Sequence, residues 1–503
     1  MTSVAERLDA SRRIDWKYLL GEPQLRDVTV LDPVGDDLRT ALEVFADRVR
    51  PVPIDDIELR DPGEPYSDLV VVPGANARRL EQALSLVPPG GWIYAEFPRR
   101  SLSSFRDPAR LPGGFSPIRR YWVHPSHASP KAFVDLGSPG PVRALVARHT
   151  RGPIGRILSL MLRPAPIRRR LGPVALVARR NDPDTAGDPD HEDAAITRAA
   201  DIGPGKGALV MLTPSFSASR HVIGLIVDPE TGSLIRVAKT SRLADDTQLE
   251  AEARALTRID TLPRPPRRPH LVAWRRLLGS RWLVQSAVGG EPMDRGAVSA
   301  DPDGCADLIT DWLSGLDRPG SSRPADDGRW SSLFEEPLGL LERGAPRNHV
   351  VVGLIGPTRA LVEPLAHLEL PVCFEHGDTR HPNILSGPDG VGLVDWELAQ
   401  PEGFPLHDLA FFLEYVVESQ SIEHPAAQLI DPDSWAGSRL RTEAVRLGID
   451  PAVCGPLVLL SLARRTCDHF RRAGTVGARP AESWRSCLEA LNRRMAGHEV
   501  GVV

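Results

Sequence analysis

The apolar and polar positions change their rhythm as the chain proceeds. Over the first 180 residues short apolar runs alternate with amphipathic ones. "DVTVLDP" reads as a strand, and "DDLRTALEVFADRV" reads as a helix with acidic residues at its start. "SDLVVVPG" is a short buried strand, and "ANARRLEQALSLV" is amphipathic. The turn "PPGG" then leads into the strand "WIYAEF". Strands alternating with helices predict parallel βαβ units. A terminal core strand, "GPVALVA", closes this part.

Residues 181–193, "NDPDTAGDPDHED", contain no large apolar side chain and read as an acidic linker. Beyond it the period becomes that of strands: "ALVMLTP", "HVIGLIV", "LIRVAKT", "HLVAWRRLL" and "RWLVQSA". One helical run, "DTQLEAEARALTRI", interrupts them, and "DPETG" is a hairpin turn. After residue 300 the pattern is mostly helical. A small β-rich lobe followed by a larger helical lobe is the outline of a bilobal kinase. The predicted organisation is a domain over 1–180, a linker over 181–195, and a domain over 196–503. The N-lobe of that second domain covers about 196–290 and its C-lobe about 291–503.

Composition narrows the classes. The 503 residues carry a formal net charge of −5 and only 5 % aromatic residues, so neither a basic field nor a stacking platform argues for nucleic acid. Five cysteines, none spaced as a metal knuckle or a redox pair, fit a reducing compartment. No apolar signal core opens the chain, and no apolar run is long enough to span a bilayer. The expectation is a cytoplasmic protein.

The segment "FEHGDTRHPNILSGPDGVGLVDWELA" sets several acids beside apolar runs, which is costly unless positive charge lies between them. Asp378 precedes Asn383 by five residues, and Asp395 follows the strand "GVGLV". Phosphoryl transfer needs these types. One Asp orients the attacking hydroxyl, while an Asn and a second Asp hold Mg²⁺ against nucleotide phosphates. With "PLHDLAFFL" downstream, the segment resembles the aminoglycoside phosphotransferase and choline kinase-like family, relatives of protein kinases. The resemblance implies Asp378 as catalytic base and Asn383 and Asp395 as metal ligands. It implies His376 and Asp408 as structural support, with ATP and Mg²⁺ as cofactors. His381 and His407 read as incidental polar residues.

The same resemblance calls for a phosphate-contacting lysine and a helical glutamate upstream. Lys239, closing "LIRVAK", and Glu252, in "EARAL", match. Where a glycine-rich loop is expected stands "TPSFSASRH", with Ser215, Ser217 and Ser219 as donors to phosphate. The strand-to-linker segment from Gln285 through Ala287 to Val288 is the position for adenine contacts.

The first 180 residues resemble a class I methyltransferase-like domain, α/β and Rossmann-like. The first βα turn, "LDPVGDD", has a single Gly, and Asp55 and Asp56 are poorly placed to close the second strand. That implies a degenerate domain. The Arg-rich stretch 143–180 reads as a solvated face, with peripheral contact to an anionic surface as the alternative. The expectation is thus an α/β Rossmann-like domain followed by an α+β protein-kinase-like one. Its activity is transfer of the γ-phosphoryl of ATP to a small molecule's hydroxyl, on a sugar, glycan precursor or amino-alcohol. Arg464, Arg465, Arg471 and Arg472 in the last helices point to an acceptor that need not be cationic. A pseudokinase scaffold and a bifunctional methyltransferase–kinase are the alternatives, with GTP in place of ATP left open.

Overall fold

The computed structural model describes residues 4–53, 55, 67–98, 114–116, 118–149, 172–182, 194–203, 205–214, 219–244, 246–317, 321–324 and 328–499. The chain forms two compact units. One comprises residues 1–249 and 271–287, the other residues 250–270 and 288–503.

The first unit is built on one sheet of twelve strands. In chain order these are β1 (Asp27–Leu31), β2 (Arg48–Val52), β3 (Leu69–Val72), β4 (Trp92–Phe97), β5 (Arg119–Pro125) and β6 (Pro130–Asp135). They continue as β7 (Val174–Arg179), β8 (Ala208–Leu212), β9 (His221–Val227), β10 (Leu234–Ser241), β11 (Leu271–Leu277) and β12 (Ser280–Ser286). Across the sheet they lie in the order β11-β12-β10-β9-β8-β6-β5-β7-β4-β3-β1-β2. β1 pairs in parallel with β2 and β3, and β3 with β4; the other pairs are antiparallel. Every residue of β3 and β4 is buried, as expected for strands covered on both faces. The helices Asp36–Phe45 and Ala77–Ser85 connect the parallel strands, and Asn76 caps the second by accepting from Arg79 N.

One element departs from the sequence pattern. The helix expected over 36–49 stops at Phe45, and Arg48–Val52 becomes the outermost strand. Alternating Arg and apolar residues suit a sheet edge, where charged side chains reach water and discourage further pairing. A second departure concerns continuity. β6 pairs with β8 through Ala132↔Leu212, Phe133↔Met211 and Val134↔Val210, so the sheet begun by the N-terminal strands runs on into those read as an N-lobe. The compact units therefore part near 249, 270 and 287 rather than at the acidic segment, whose residues 183–193 lie outside those described. The pairing satisfies the backbone groups that an open β6 edge would leave exposed.

The methyltransferase-like reading is not confirmed, and two arginines mark the C-terminal ends of the parallel strands. Arg13 donates to both oxygens of Glu96, at 2.6 and 2.8 Å, and to Asp37 at 3.0 Å. Arg79 donates to the carbonyls of Leu31 and Asp32 at the end of β1. In a dinucleotide-type fold the cofactor binds at this end of the parallel strands; here Arg13 and Arg79 make their hydrogen bonds there. Of the two acids considered for the second strand, Asp55 is described and Asp56 is not. The Arg-rich stretch is described only at 143–149 and 172–180.

The N-terminal segment is locked to the sheet. Trp16 stacks on Tyr94 at 4.0 Å, and Tyr18 meets Trp282 edge to face at 5.8 Å. Asp15 accepts three hydrogen bonds from Arg242, both side chains being buried.

The second unit is mainly helical. Its principal helices are Pro302–Ser314, Val350–Val362, His407–Ser419, Trp435–Arg446, Cys454–Ala473 and Ala478–Glu499. Helix Gln248–Ile259 joins it from Glu250 onward. Among the described residues three small sheets lie with them: Glu291–Pro292 with Ile384–Gly387 and Gly390–Leu393, Arg323–Pro324 with Glu369–Leu370, and Cys373–Glu375 with Gln400–Gly403. All five cysteines are buried free thiols. Among the described residues no helix is long and apolar enough to cross a membrane.

Replacing Arg242 with Met leaves the Asp15 carboxylate buried without its partner. Urea unfolding is expected to show a loss of about 3–5 kcal/mol. The double variant Asp15→Leu/Arg242→Met is expected to lose less; an equal loss in both would disprove the pairing as the cause.

Candidate active site

The site in the second unit grows from a tight hairpin. Its register pairs Ile384 with Leu393 and Leu385 with Gly392, and Val394 N donates to Asn383 O at 3.0 Å. The hairpin thus returns the chain to the level of Asn383 just before Asp395. Asp395 takes a left-handed conformation, φ 72°, which turns the chain out of the strand direction. The loop before the hairpin depends on Gly377, at φ 85°; a Cβ there would lie 2.6 Å from the Leu398 carbonyl oxygen. Only glycine fits that close approach.

Asp408, in the first turn of helix His407–Ser419, holds this loop. Its carboxylate accepts from His376 N at 2.6 Å, Gly377 N at 2.8 Å and Thr379 Oγ1 at 2.9 Å. His376 is fully buried against Trp396, ring to ring at 4.5 Å, with Nε2 3.1 Å from the Val394 carbonyl. Its Nδ1 accepts from Asp378 N at 3.2 Å. Burial pushes its pKa down, so the neutral imidazole is the form that makes both bonds.

Asp378 accepts from Asn383 Nδ2 at 2.9 Å. The same amide donates to the Asp378 carbonyl at 3.1 Å. Burial pushes the Asp378 carboxyl above its ordinary pKa, and nearby Asp395 pushes in the same direction. Arg472 and His376 work against that rise. Arg472 donates to Glu397 at 3.2 Å.

Glu252 is buried, and its Oε1 accepts from Trp396 N at 3.4 Å, one residue past Asp395. Lys239 is buried on β10 of the first unit, in register with Ile223 and Leu283. Gln285 is buried on β12, where its side-chain oxygen receives no hydrogen bond; Ala287 ends that unit. Ser215 and Ser217 lie outside the described residues. Ser219 differs from expectation. It is buried, and both its carbonyl and its hydroxyl accept from Arg242 at 3.0 Å. Its polar groups are spent on the buried Asp15–Arg242 pair instead of facing a phosphate.

The sequence reading missed several supports. Glu375, directly before His376, accepts both arms of Arg464 at 2.9 and 2.8 Å, both side chains being buried. Burial pushes the Glu375 pKa up, but Arg464 and His407 more than reverse this and hold it below the ordinary carboxylate range. Arg464 is therefore a structural cation, not an acceptor-facing one. Arg465 pairs with Glu414, Arg471 with Asp468 and Arg472 with Glu397. Each of the four arginines has its own carboxylate, so they do not form a wall of uncompensated positive charge. Nothing in a linear pattern marks such partners, since Glu375 and Arg464 meet only through packing.

Among the described residues no three His, Cys, Asp or Glu side chains converge as a metal cage. The donor set here is a different one. Asn383 spends its NH₂ group on Asp378 and keeps its amide oxygen, while Asp395 is close enough to Asp378 to raise the cost of ionising it. Hard oxygen donors of this kind, with phosphate oxygens and water completing the shell, suit Mg²⁺.

Residues 227–441, which contain the whole loop–hairpin–helix arrangement, match the model of the phosphotransferase enzyme family. Several solved structures are also similar. Aminoglycoside phosphotransferase APH(3'')-Id from Streptomyces rimosus is 21 % identical, with 59 % of this chain and 96 % of that one covered and a TM-score of 0.36. A putative fructosamine-3-kinase from Thermobifida fusca is 16 % identical, covering 59 % and 99 %, with a TM-score of 0.36. The amicoumacin kinase hAmiN, solved with AMP-PNP and Ca²⁺, is 13 % identical, covering 58 % and 90 %, with a TM-score of 0.40. No curated protein matches the chain.

Asp408→Asn puts an amide NH₂ where three donors need an acceptor. The expected loss is about 1–3 kcal/mol in urea unfolding, since a buried donor is left unmatched. Amide exchange at His376 and Gly377 is expected to accelerate. Unchanged exchange there would show that Asp408 does not hold the loop.

Proposed function

We propose that this protein transfers the γ-phosphoryl group of ATP to a hydroxyl of a small molecule. The observation that carries the reading is the loop in which Asp378, oriented by Asn383, stands beside Asp395 on a frame fixed by Asp408. Asp378 is the group to orient the acceptor hydroxyl and take its proton as the oxygen attacks the γ-phosphorus. The phosphorus–oxygen bond to the nucleotide's β-phosphate then breaks and ADP leaves. Asn383 and Asp395 are the residues to hold Mg²⁺, which when bound neutralises phosphate charge. Lys239 is the candidate cation for the nucleotide phosphates, as a point charge on a flexible stem. His376 takes no proton in this scheme; it keeps the Asp378 backbone in place. Sugar, glycan-precursor and amino-alcohol hydroxyls are the acceptors to screen.

The raised pKa of Asp378 sets the pH dependence. The base must be ionised, so turnover falls as pH drops through its raised value. Arg472 opposes that rise. Arg472→Met is therefore expected to move the acid limb to higher pH, measured as kcat/KM against pH. An unmoved limb would remove Asp378 as the titrating base.

ATP with Mg²⁺ is expected to raise the melting midpoint of the wild type. Asp395→Asn is expected to abolish that shift. Asp378→Asn is expected to keep it while kcat falls about 10²- to 10⁴-fold, the usual contribution of a general base. No shift with either ATP or GTP would sink the reading and leave the alternative of a scaffold.

A further inference from the structure

The first unit contains a cavity of about 630 Å³ lined by none of the catalytic, metal-holding or nucleotide-contacting residues proposed above. Its walls come from the N-terminal segment, the end of helix Asp36–Phe45, and the ends of β10, β11 and β12 with Leu249. Its volume is that of a small-molecule site.

The wall chemistry is selective. Six basic side chains line the cavity, against the acids Asp47 and Asp246. Asp246 is already taken, receiving His221 at 2.9 Å and Ser241 at 2.7 Å. Arg242 is committed to Asp15. Lys17 is different. Its ammonium lies over the rings of Phe45 and Tyr18, at 5.0 and 5.1 Å, and no described carboxylate pairs with it. Burial pushes its pKa down to about 8; Asp15 works against this and Arg242 adds to it. A half-buried ammonium held between two rings beside a second cation gains most from an anion brought within hydrogen-bonding reach. Phe45, Trp274, Leu243 and Leu249 add an apolar surface to the same cavity.

We propose that this cavity binds a small organic oxyanion, a phosphate monoester or carboxylate with an apolar body, through Lys17. The headgroup meets the Lys17 ammonium, and the body packs on Phe45 and Trp274.

Lys17 is one of four lysines, with Lys131, Lys206 and Lys239, so its acylation is readily followed. The full chain is treated with N-acetoxysuccinimide and the modified sites are quantified by mass spectrometry. Near-saturating phenyl phosphate or benzoate is expected to slow acylation of Lys17 about fivefold. The exposed Lys131 and Lys206 serve as references and are expected not to change. Inorganic phosphate is expected to protect less, and benzyl alcohol not at all. The relative potency of phenyl phosphate and benzoate identifies the preferred headgroup. By calorimetry, Lys17→Met is expected to weaken phenyl phosphate binding about tenfold or more. Asp378→Asn is expected to bind it like the wild type, which separates this cavity from the proposed transfer site. Absence of Lys17 protection by either anion, equal protection by benzyl alcohol, or loss of binding in Asp378→Asn would overturn the proposal.

Discussion

One carboxylate, Asp408, organises the whole candidate site. It is buried, so its charge must be compensated by donors, and the donors it finds are the backbone of His376 and Gly377 and the hydroxyl of Thr379. Satisfying Asp408 therefore fixes the loop before Asp378. The bond from Asp378 N to His376, and from His376 to Val394, then ties that loop to the returning strand. Asp378 is thus placed by hydrogen bonds with its near neighbours in sequence, His376 and Asn383.

Around this loop, buried ion pairs act as fixed braces. Glu375 is paired bidentately with Arg464, and Glu414 is shared by Arg465 and Ser483. These pairs absorb the arginines of the last helices. The consequence for function is negative but useful. Those arginines say little about the charge of an acceptor, because their charge is already neutralised within the unit. Arg472 is the one whose influence reaches Asp378.

The first unit follows a different logic. There the constraint is the sheet edge. β6 would be open on one side, and β8 closes it. The strands read as two separate folds thereby share one sheet and one set of buried faces. Arg242 adds a second tie, since its guanidinium serves Asp15, Ser219 and the Pro214 carbonyl together. Ser219 was legible as a hydroxyl in a loop, but its use was decided by an aspartate two hundred residues away in sequence.

What the sequence determined by itself was local. Apolar periodicity placed the strands of 208–286, because fully or half-buried strands need runs of this length. The order His376–Gly377–Asp378, Asn383, Asp395 fixed a loop and hairpin, because spacing within 20 residues leaves the chain few routes. Residues 227–441 match the phosphotransferase enzyme family on that same stretch. What only tertiary structure decided was long-range. The end of helix Asp36–Phe45 depended on a free sheet edge waiting for Arg48–Val52. The partners of Glu375, Ser219 and the late arginines depended on which charges packing left buried together. A charge is costly in the interior wherever its neighbours fail it, and those neighbours are chosen by the fold, not by the adjacent residues.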